Sequence, residues 1–443
     1  MFIEKEKLPI LLDIVNKEPI VALPIMSDYS KHYMNSDISF LYIFTVKSNK
    51  EFIISYNHYD IESNITYSKD LLKNCPQIHV WDSKIFRNLY INDNVIDHGL
   101  INYLDINSQL DAQNHETHTH KFYQNEYWKY GNINNIIPIM KHLETCRHMT
   151  KLITNKISID LPESFTPYND DVIRVYSQIE KSGLCINTDE FLESFGKYSK
   201  KHIKDNIVFT QYNMYTTTGR PSNSHGGVNY AALNKDDGSR KCFISRHKNG
   251  RLVEFDFDSY HLRLIATIIN EKLPDSSIHK YFGKMYFNKE NLSAAEYVKS
   301  KEISFKILYG GVPDEYKHIP FFSKIDRFIN DLYNDMLTFG YIKTALLNRK
   351  MIGKNYESLT RTKLFNYYIQ AMETESNVIM FDKILNLLNG KNTNLVLTTY
   401  DSLLFDFDIN EGKKLLNDIE LCFDYPVKMS VGKNYDSMKI VNK

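Results

Sequence analysis

Two aspartates occupy positions in the sequence from which a carboxylate could hold a divalent cation. Asp256 lies near the end of the alternating segment 252–257, which predicts a strand followed by a helix. Asp401 lies at the polar turn of a predicted hairpin over 395–407. Brought together, two such carboxylates could hold two ions about 3.5–4 Å apart, the arrangement that serves in-line phosphoryl displacement. Taken singly, each aspartate fits a plainer interpretation, as a solvated acid or a turn former.

A second pattern places one lysine and three aromatic residues four positions apart. Tyr297, Lys301, Phe305 and Tyr309 would share one face of a helix that ends at two glycines. Aromatic rings can stack on a nucleobase while an ammonium group contacts phosphate. An amphipathic core helix whose lysine extends to water would show the same spacing.

The elements that must position these residues follow from hydrophobic periodicity and from turn residues. The first 105 residues predict an α/β or α+β unit, and 106–135 and 213–250 are polar and loop-like. The predicted strands are 40–45, 52–56 and 252–257, and the predicted helices are 136–156, 169–183, one from 188, 261–269, 323–339 and 362–388.

Composition limits the class of protein. The chain has 443 residues, 42% of them hydrophobic, with 54 Lys+Arg against 54 Asp+Glu. At roughly 150 residues per domain this indicates two or three globular domains and excludes a disordered, collagenous or disulfide-stapled chain. No apolar stretch reaches the ~18–20 residues of a spanning helix, and the acidic amino terminus is not a secretory signal. Five scattered cysteines favour a reduced, cytoplasmic protein. Charge neutrality argues weakly against nucleic-acid binding but leaves room for a local basic groove.

Taken in order, these segments resemble the family A DNA polymerases, the DNA polymerase I-like enzymes of bacteria and phages. The family's motif A, Asp-Tyr-Ser-Gln-x-Glu-Leu-Arg, corresponds to 256–263, and its motif C, His-Asp-Glu, corresponds to 400–402. Motif B corresponds to Lys301, Phe305 and Tyr309 with the glycine that follows, and 218–222 resembles the upstream Thr-Gly-Arg-x-Ser. The resemblance runs from about residue 170 to the carboxyl terminus, and the order of the motifs is what makes it specific.

The resemblance implies an α+β multidomain fold. It would be a right-hand polymerase with palm, fingers and a reduced thumb, preceded by a degenerate 3′–5′ exonuclease-like α/β domain. The expected division is an inactive exonuclease-like domain at 1–160, a reduced thumb at 161–215, palm with motif A at 216–272, fingers with motif B at 273–345, and palm with motif C at 346–443.

The implied activity is DNA-templated addition of dNTPs to a primer 3′ end by a two-metal mechanism, with Mg²⁺ as the ion and Mn²⁺ as a substitute. Asp256 and Asp401 would be the catalytic metal ligands. The implied nucleotide-binding residues are His279, Lys301, Phe305, Tyr309 and His261. The implied DNA-binding residues are Arg220, Asn229, Arg240, Arg349, Asn366 and Gln370. The expected partners are primer-template DNA, dNTPs and a processivity or replisome protein, with no membrane.

Three departures from the family pattern bear on function. Tyr297 replaces an arginine, so the triphosphate site loses a guanidinium, and Lys299 faces about 200° away on a helix. His261 replaces the glutamate that crowds the 2′ position, which leaves exclusion of ribonucleotides open. Ser402 replaces the motif C glutamate, so only the two aspartates remain as metal ligands. Because similar His-bearing motifs occur in some phage polymerases, we expect a phage lineage and a host-cytoplasmic location. The alternatives are a ribonucleotide-accepting or primase-like polymerase and a non-catalytic DNA-binding replisome scaffold.

The amino-terminal third lacks the acids that a 3′–5′ exonuclease needs to bind metals. The first apolar strand, 20–26, contains no acid, and Arg87 and Gly131 occupy positions where aspartates are expected. Asp97 is retained, so we predict an exonuclease-like fold without its metal site, unless Asp28 or Asp82 rebuilds it.

Two further expectations concern segments outside the motifs. The region that precedes 218–222 has room for one or two helices in place of a long thumb, which predicts low intrinsic processivity or a partner that restores it. His115, His118 and His120 could bind zinc, but chance histidines in a polar loop are the favoured interpretation.

Overall fold

A computed structural model describes residues 1–62, 64–106, 137–158, 160–353 and 358–441. The three histidines 115, 118 and 120 and Gly131 lie outside these ranges. The chain forms two compact units. The first contains Met1–Lys181, Phe195–Tyr215 and Ser224–Asn229, and the second contains Ser182–Ser194, Thr216–Asn223 and Tyr230–Lys443. The five-part division expected from the sequence is finer than this and stays a prediction.

A five-stranded sheet in the order β3-β2-β1-β4-β5 forms the core of the first unit. Its strands are β1 Ile20–Met26, β2 Ile38–Thr45, β3 Glu51–Ser55, β4 Ile78–Val80 and β5 Val95–Asp97. β1 pairs antiparallel with β2 and parallel with β4. Nearly every residue of β1 is buried, as expected for a central strand covered on both faces. The accompanying helices are α1 Leu8–Val15, α2 Ser83–Leu89, α3 His98–Ile106 and α4 Ile139–Thr154.

Short elements connect the sheet region to the rest of the chain. A π-helical segment, Tyr168–Val172, leads into α5, Ile173–Ser182. The elements that follow are β6 Leu184–Cys185, α6 Thr188–Phe195, β7 Ile203–Lys204, β8 Ile207–Val208, β9 Tyr212–Asn213, β10 Ser222–His225 and β11 Val228–Asn229. Within 161–215, α5 and α6 are therefore the helices longer than two turns in the described chain.

The second unit is built on an antiparallel sheet in the order β15-β16-β12-β17-β18. Its strands are β12 Arg251–Phe257, β15 Asn394–Thr399, β16 Ser402–Phe407, β17 Val427–Gly432 and β18 Lys439–Ile440, and a separate hairpin is formed by β13 Tyr341–Lys343 and β14 Lys350–Ile352. Phe255 on central β12 is fully buried and packs against Phe405 and Phe423. Glu254 and Asp256 lie on the less buried face of β12, as the alternation predicts.

The helices of the second unit have clear start and stop signals. They are α7 Tyr260–Ile268, α8 Ile278–Phe287, α9 Ala294–Gly310, α10 Pro320–Phe339, α11 Arg361–Leu387 and α12 Gly412–Glu420. A capping box between Ser293 and Glu296 begins α9. Pro320 begins α10 and Gly340, at φ 74°, ends it. No helix among the described residues combines the length and apolar character that crossing a membrane requires.

Candidate active site

Strand β12 and the β15–β16 hairpin bring Asp256 and Asp401 to the same edge of the sheet. Asp256 pairs in register with Ser402, and the Phe257 amide donates to the Asp401 carbonyl oxygen at 3.0 Å. Tyr400 holds the hairpin tip with φ 64°. Its carbonyl accepts a 3.0 Å hydrogen bond from the side chain of Asn377. The turn is therefore fixed by both the sheet and α11.

The two aspartates share an electrostatic environment that disfavours two negative charges. Burial, and then the charge of Asp401, raise the pKa of Asp256 to about 6. Burial, and then Glu373, raise the pKa of Asp401. A bound cation would relieve this repulsion, and carboxylate oxygens suit a hard divalent ion. Within the described ranges, no group of three or more His, Cys, Asp or Glu side chains is arranged as a metal site. A metal here would therefore take its remaining ligands from substrate, water or backbone.

Both aspartates line a pocket of about 280 Å³ in the second unit. Side chains from α7, α8, α9, α11, the sheet and the loops that carry Arg220 and Asp258 surround it. They are Arg220, Asp256, Phe257, Asp258, Ser259, Tyr260, His261, Leu262, His279, Lys301, Phe305, Leu308, Tyr309, Glu373, Asp401 and Lys428. All seven residues expected to act in catalysis or to bind nucleotide are among them. A larger pocket of about 870 Å³ lies along α12 and β17, away from these residues.

Helix α9 supplies an aromatic and cationic wall. The rings of Phe305 and Tyr309 are nearly parallel, with centroids 6.2 Å apart, and the two side chains are 46% and 38% exposed. The Lys301 ammonium lies 4.8 Å from the centre of the Tyr297 ring. Exposed aromatic rings of this kind can stack on a base, so the amphipathic-core interpretation of this helix face is not sufficient.

His279, on α8, is a buried member of the same wall. Its Nε2 lies 3.1 Å from the Ser259 hydroxyl. Burial, followed by the charge of Lys301, lowers the pKa of His279 to about 4. The imidazole is therefore neutral near pH 7 and can act on an anion by donating a hydrogen bond, not as a cation.

A buried carboxylate that sequence reasoning did not identify links Arg220 to His261 in the lining of the pocket. Glu373, on α11, is 1% exposed. It accepts a 3.0 Å hydrogen bond from Arg220, and its Oε2 lies 3.1 Å from His261 Nε2. The other nitrogen of His261 lies 2.5 Å from the Tyr309 hydroxyl. Arg220, Glu373, His261 and Tyr309 thus form one continuous polar chain, which we call the Glu373 network.

Most residues expected to bind DNA lie at the surface of the second unit. The Arg220 guanidinium lies 3.7 Å above the Tyr400 ring, beside the hairpin tip. Arg240 stacks 4.4 Å above Tyr435. Asn366 donates to the Tyr309 carbonyl oxygen at 3.0 Å, and Gln370 lies one turn further along α11, partly exposed. Arg220 lines the pocket, and Asn366 contacts Tyr309 of its lining.

Arg349 and Asn229 are placed differently from the other residues expected to bind DNA. Arg349 is fully buried and donates to the Thr218 carbonyl oxygen at 2.6 Å, so in this structure it supports the loop that carries Arg220 and does not face solvent. Asn229 is exposed on β11, in the first unit.

Lys428, on β17, is, like Glu373, a charged pocket residue outside motifs A, B and C that sequence reasoning did not assign to the site. The segments 426–428 and 432–435 resemble the closing strand of the family pattern, but nothing in that pattern indicates where the lysine points. Lys428 is a charged residue between Val427 and Met429, and Glu373 lies within the buried stretch 371–375 of α11, so neither position carries a sequence signal of its contacts.

Among the described residues of the first unit, the aspartates considered for a nuclease site do not form a comparable site. Asp97 is fully buried and accepts hydrogen bonds from the Ser83 and Leu100 amides at 2.7 and 2.9 Å. Asp82 caps α2, and Asp28 accepts from Ser30. The cavity at β1 next to Asp82 measures only about 20 Å³. These carboxylates are therefore occupied by local structure.

Comparison with known proteins gives one sequence match and a strong structural match. No protein-family model matches the sequence. DNA polymerase I of Synechocystis sp. (strain PCC 6803) is 22% identical over 275 residues, which are 51% of this chain and 28% of that protein. The chain thus matches little more than a quarter of the length of this curated relative.

The structural match covers nearly the whole chain. The POL domain of Pol1 from M. smegmatis, solved in complex with DNA primer-template and dNTP, superposes with a TM-score of 0.70. The match covers 98% of this chain and 99% of that chain at 12% identity. The expected α+β multidomain polymerase fold is confirmed. The sequence match to DNA polymerase I and this shared fold both support the resemblance to the family A, DNA polymerase I-like polymerases.

Proposed function

We propose that this chain is a DNA-templated DNA polymerase that adds dNTPs to a primer 3′ end. The observation that carries the proposal is the meeting of Asp256 and Asp401 with the exposed face of α9 in one pocket. Carboxylates serve the chemistry, and the aromatic and cationic face serves a base and its phosphates. The names of the relatives, a DNA polymerase I and a POL domain bound to primer-template and dNTP, support the same reading.

Each wall of the pocket has a distinct task in this proposal. Two Mg²⁺ ions bound by Asp256 and Asp401, or Mn²⁺ in their place, would supply activation of the primer hydroxyl and neutralisation of phosphate charge. Lys301 and neutral His279 bind the phosphates. Phe305 packs on the incoming base, and Tyr309 lies beside the templating position. Arg220, Arg240, Asn366 and Gln370 hold the duplex through its backbone and minor groove, where the acceptors are shared among base pairs.

Primer extension with Mg²⁺ and dNTPs tests this function. Asp256→Asn and Asp401→Asn should each lower the extension rate at least about 1,000-fold, which corresponds to roughly 4 kcal/mol of transition-state stabilisation. Asp331→Asn, an exposed position on α10, is the matched control and should extend at the wild-type rate. Wild-type protein that binds primer-template but never extends it would instead support the non-catalytic replisome scaffold.

A ribonucleotide-accepting polymerase is the second candidate, and His261 is the observation that favours it. The imidazole is held between Tyr309 and Glu373 in place of an acid. Comparison of dNTP and rNTP incorporation by wild type distinguishes the two candidates. His261→Glu alone would place a second carboxylate beside that of Glu373, so the informative variant is the double substitution His261→Glu with Glu373→Gln. Higher rNTP discrimination in the double variant would show that His261 relaxes sugar selection.

The proposal includes low intrinsic processivity, because α5 and α6 are the substantial helices between 161 and 215. A short thumb leaves less protein surface to hold the duplex between additions. Extension of a long primed template, with excess trap DNA added at the start, should give short products with this chain alone. Long products under the trap would contradict this part of the proposal, and restoration by a second protein would identify the processivity partner. A phage lineage remains part of the proposal.

A further inference from the structure

Lys428 lies beside Asp256, one of the two proposed catalytic aspartates, in the sheet. Strand β17 pairs antiparallel with β12, and Lys428 is the residue directly opposite Asp256. Directly opposed residues of an antiparallel pair project from the same face of the sheet, with Cβ atoms about 4.5–5.5 Å apart. Since Asp256 lines the pocket, register alone brings the lysine stem to the same pocket.

The ammonium of Lys428 is held at the pocket wall and is not withdrawn from solvent. Its Nζ lies 2.8 Å from Asp258 Oδ1, and the lysine side chain is 52% exposed. Asp258 is also 3.8 Å from the Arg263 guanidinium, so this carboxylate has a second cation to pair with. Lys428 can therefore turn to an anionic ligand without leaving Asp258 unpaired.

The other cations of the pocket are arranged so that an anion would meet two lysines. Arg220 is bound to buried Glu373 and stacked on Tyr400. The other two cations that line the pocket are Lys301 and Lys428. Both ammonium groups lie close enough to His279 to disfavour its protonated form, after the larger effect of burial. A neutral hydrogen-bond donor near two ammonium groups suits a polyphosphate.

We propose that Lys428 is a nucleotide-binding residue that contacts the triphosphate of the incoming dNTP from the strand side of the pocket, opposite Lys301. From β17 it supplies a cation that α9 lacks. Tyr297 stands where the family pattern has an arginine, and Lys299 is exposed on another face of the helix. This inference rests on the proposed polymerase function.

Binding of dATP, measured without catalysis, tests the inference. The complex is formed with a dideoxy-terminated primer on a template that presents dT, in Mg²⁺, and dATP binding is followed by calorimetry. Loss of one charge-assisted contact predicts that Lys428→Met raises the Kd for dATP about 10- to 100-fold. Lys428→Arg should stay within about threefold of wild type, because it keeps the charge. Lys299→Met, an exposed lysine on α9, is the matched control and should not change the Kd.

Three comparisons separate the outcomes. A Kd for dATP within twofold of wild type in Lys428→Met would overturn the inference, as would an equal loss of affinity for the primer-template, which would assign the lysine to DNA. Melting temperatures of the variants, expected to match wild type for so exposed a side chain, exclude a folding defect. Extension of a normal primer by wild type is scored separately, so failure of the polymerase function and failure of the Lys428 assignment are distinguishable.

Discussion

Glu373 is the central residue of the Glu373 network, which joins Arg220, a proposed DNA-binding residue, to His261 and Tyr309, proposed nucleotide-binding residues. Burial raises its pKa, but contacts with His261 and Arg220 outweigh burial and hold the pKa below the ordinary value of 4.5. The carboxylate is therefore charged at neutral pH, and its partners stabilise the folded state. Removing that charge leaves the Arg220 guanidinium and the His261 imidazole without the acceptor that orients them.

We predict that Glu373→Gln lowers the free energy of unfolding by about 1–3 kcal/mol at pH 7. Because the folded pKa is depressed, this stabilisation is present above about pH 4.5 and disappears as pH falls through the folded pKa. The efficiency of dNTP addition should also fall, since Arg220 and His261 lose their orientation. Urea unfolding at neutral and acidic pH and steady-state primer extension measure both effects. Glu302→Gln, exposed on α9, is the matched control, and equal stability of the two variants at pH 7 would contradict the prediction.

Asp97 affects the pH dependence of stability in the opposite direction to Glu373. Burial, and then the charge of Asp82, raise its pKa from 3.8 to about 7. Between these values the unfolded chain releases a proton that the folded chain keeps, so stability falls as pH rises.

We predict that wild type loses stability relative to Asp97→Asn as pH rises from about 4 to about 7, by at most about 1.4 kcal/mol per pH unit. The difference should be constant above that window. Urea unfolding at several pH values measures it, with exposed Asp93→Asn as the control. A stability difference that does not vary with pH would show that folding does not raise the pKa of Asp97.

Single elements of the site were predictable because their signals are local. The strand that carries Asp256 and the hairpin that carries Asp401 follow from alternation and turn residues, and α10 begins only three residues before the predicted 323 because Pro320 occupies its first turn. Partners distant in sequence have no such signal. Glu373 meets Arg220 across 153 residues, and Lys428 faces Asp256 only through strand register. The sequence therefore predicted the elements and the two aspartates but not the groups that orient their neighbours.

Arg349 is another residue whose partners, distant in sequence, had no sequence signal. It was expected to bind DNA, yet it joins β14 to the loop that carries Arg220, through the carbonyl oxygens of Thr217 and Thr218. Its own amide donates to the Thr344 hydroxyl at 2.8 Å, which closes the β13–β14 connection.

We predict that Arg349→Met lowers the free energy of unfolding by about 2–4 kcal/mol, because the carbonyl groups of buried Thr218 and part-buried Thr217 each lose a hydrogen-bond donor. Affinity for primer-template should weaken along with stability, since the Arg220 loop is no longer held. Lys350→Met, at the exposed first residue of β14 and next to Arg349 in the chain, should change stability by less than about 0.5 kcal/mol. Thermal unfolding and fluorescence anisotropy with labelled primer-template measure the two quantities. Weaker DNA binding at unchanged stability would instead support the hypothesis that Arg349 contacts DNA directly.

At the scale of the whole molecule, the neutral total charge conceals a local concentration of charged side chains. The 54 basic and 54 acidic residues cancel over the chain, but the pocket alone gathers Asp256, Asp401 and Glu373 with Lys301 and Lys428. Carboxylates are required where metals bind, and ammonium groups where phosphates bind. A net charge near zero is thus compatible with a polymerase, and composition alone could not have decided the question.

The two units also differ in what their acids do, and this difference predicts the fate of a mispaired primer. In the first unit Asp97, Asp82 and Asp28 bind backbone amides, and β1 contains no acid. We therefore predict that wild type, given Mg²⁺ and a primer with a mismatched 3′ end, releases no terminal nucleotide and extends the mismatch slowly or not at all. Gel analysis of a 5′-labelled primer with and without dNTPs measures both reactions, and a polymerase with a working exonuclease is the positive control. Shortening of the primer by wild type, abolished in Asp97→Asn but retained in Asp256→Asn, would place an active nuclease in the first unit.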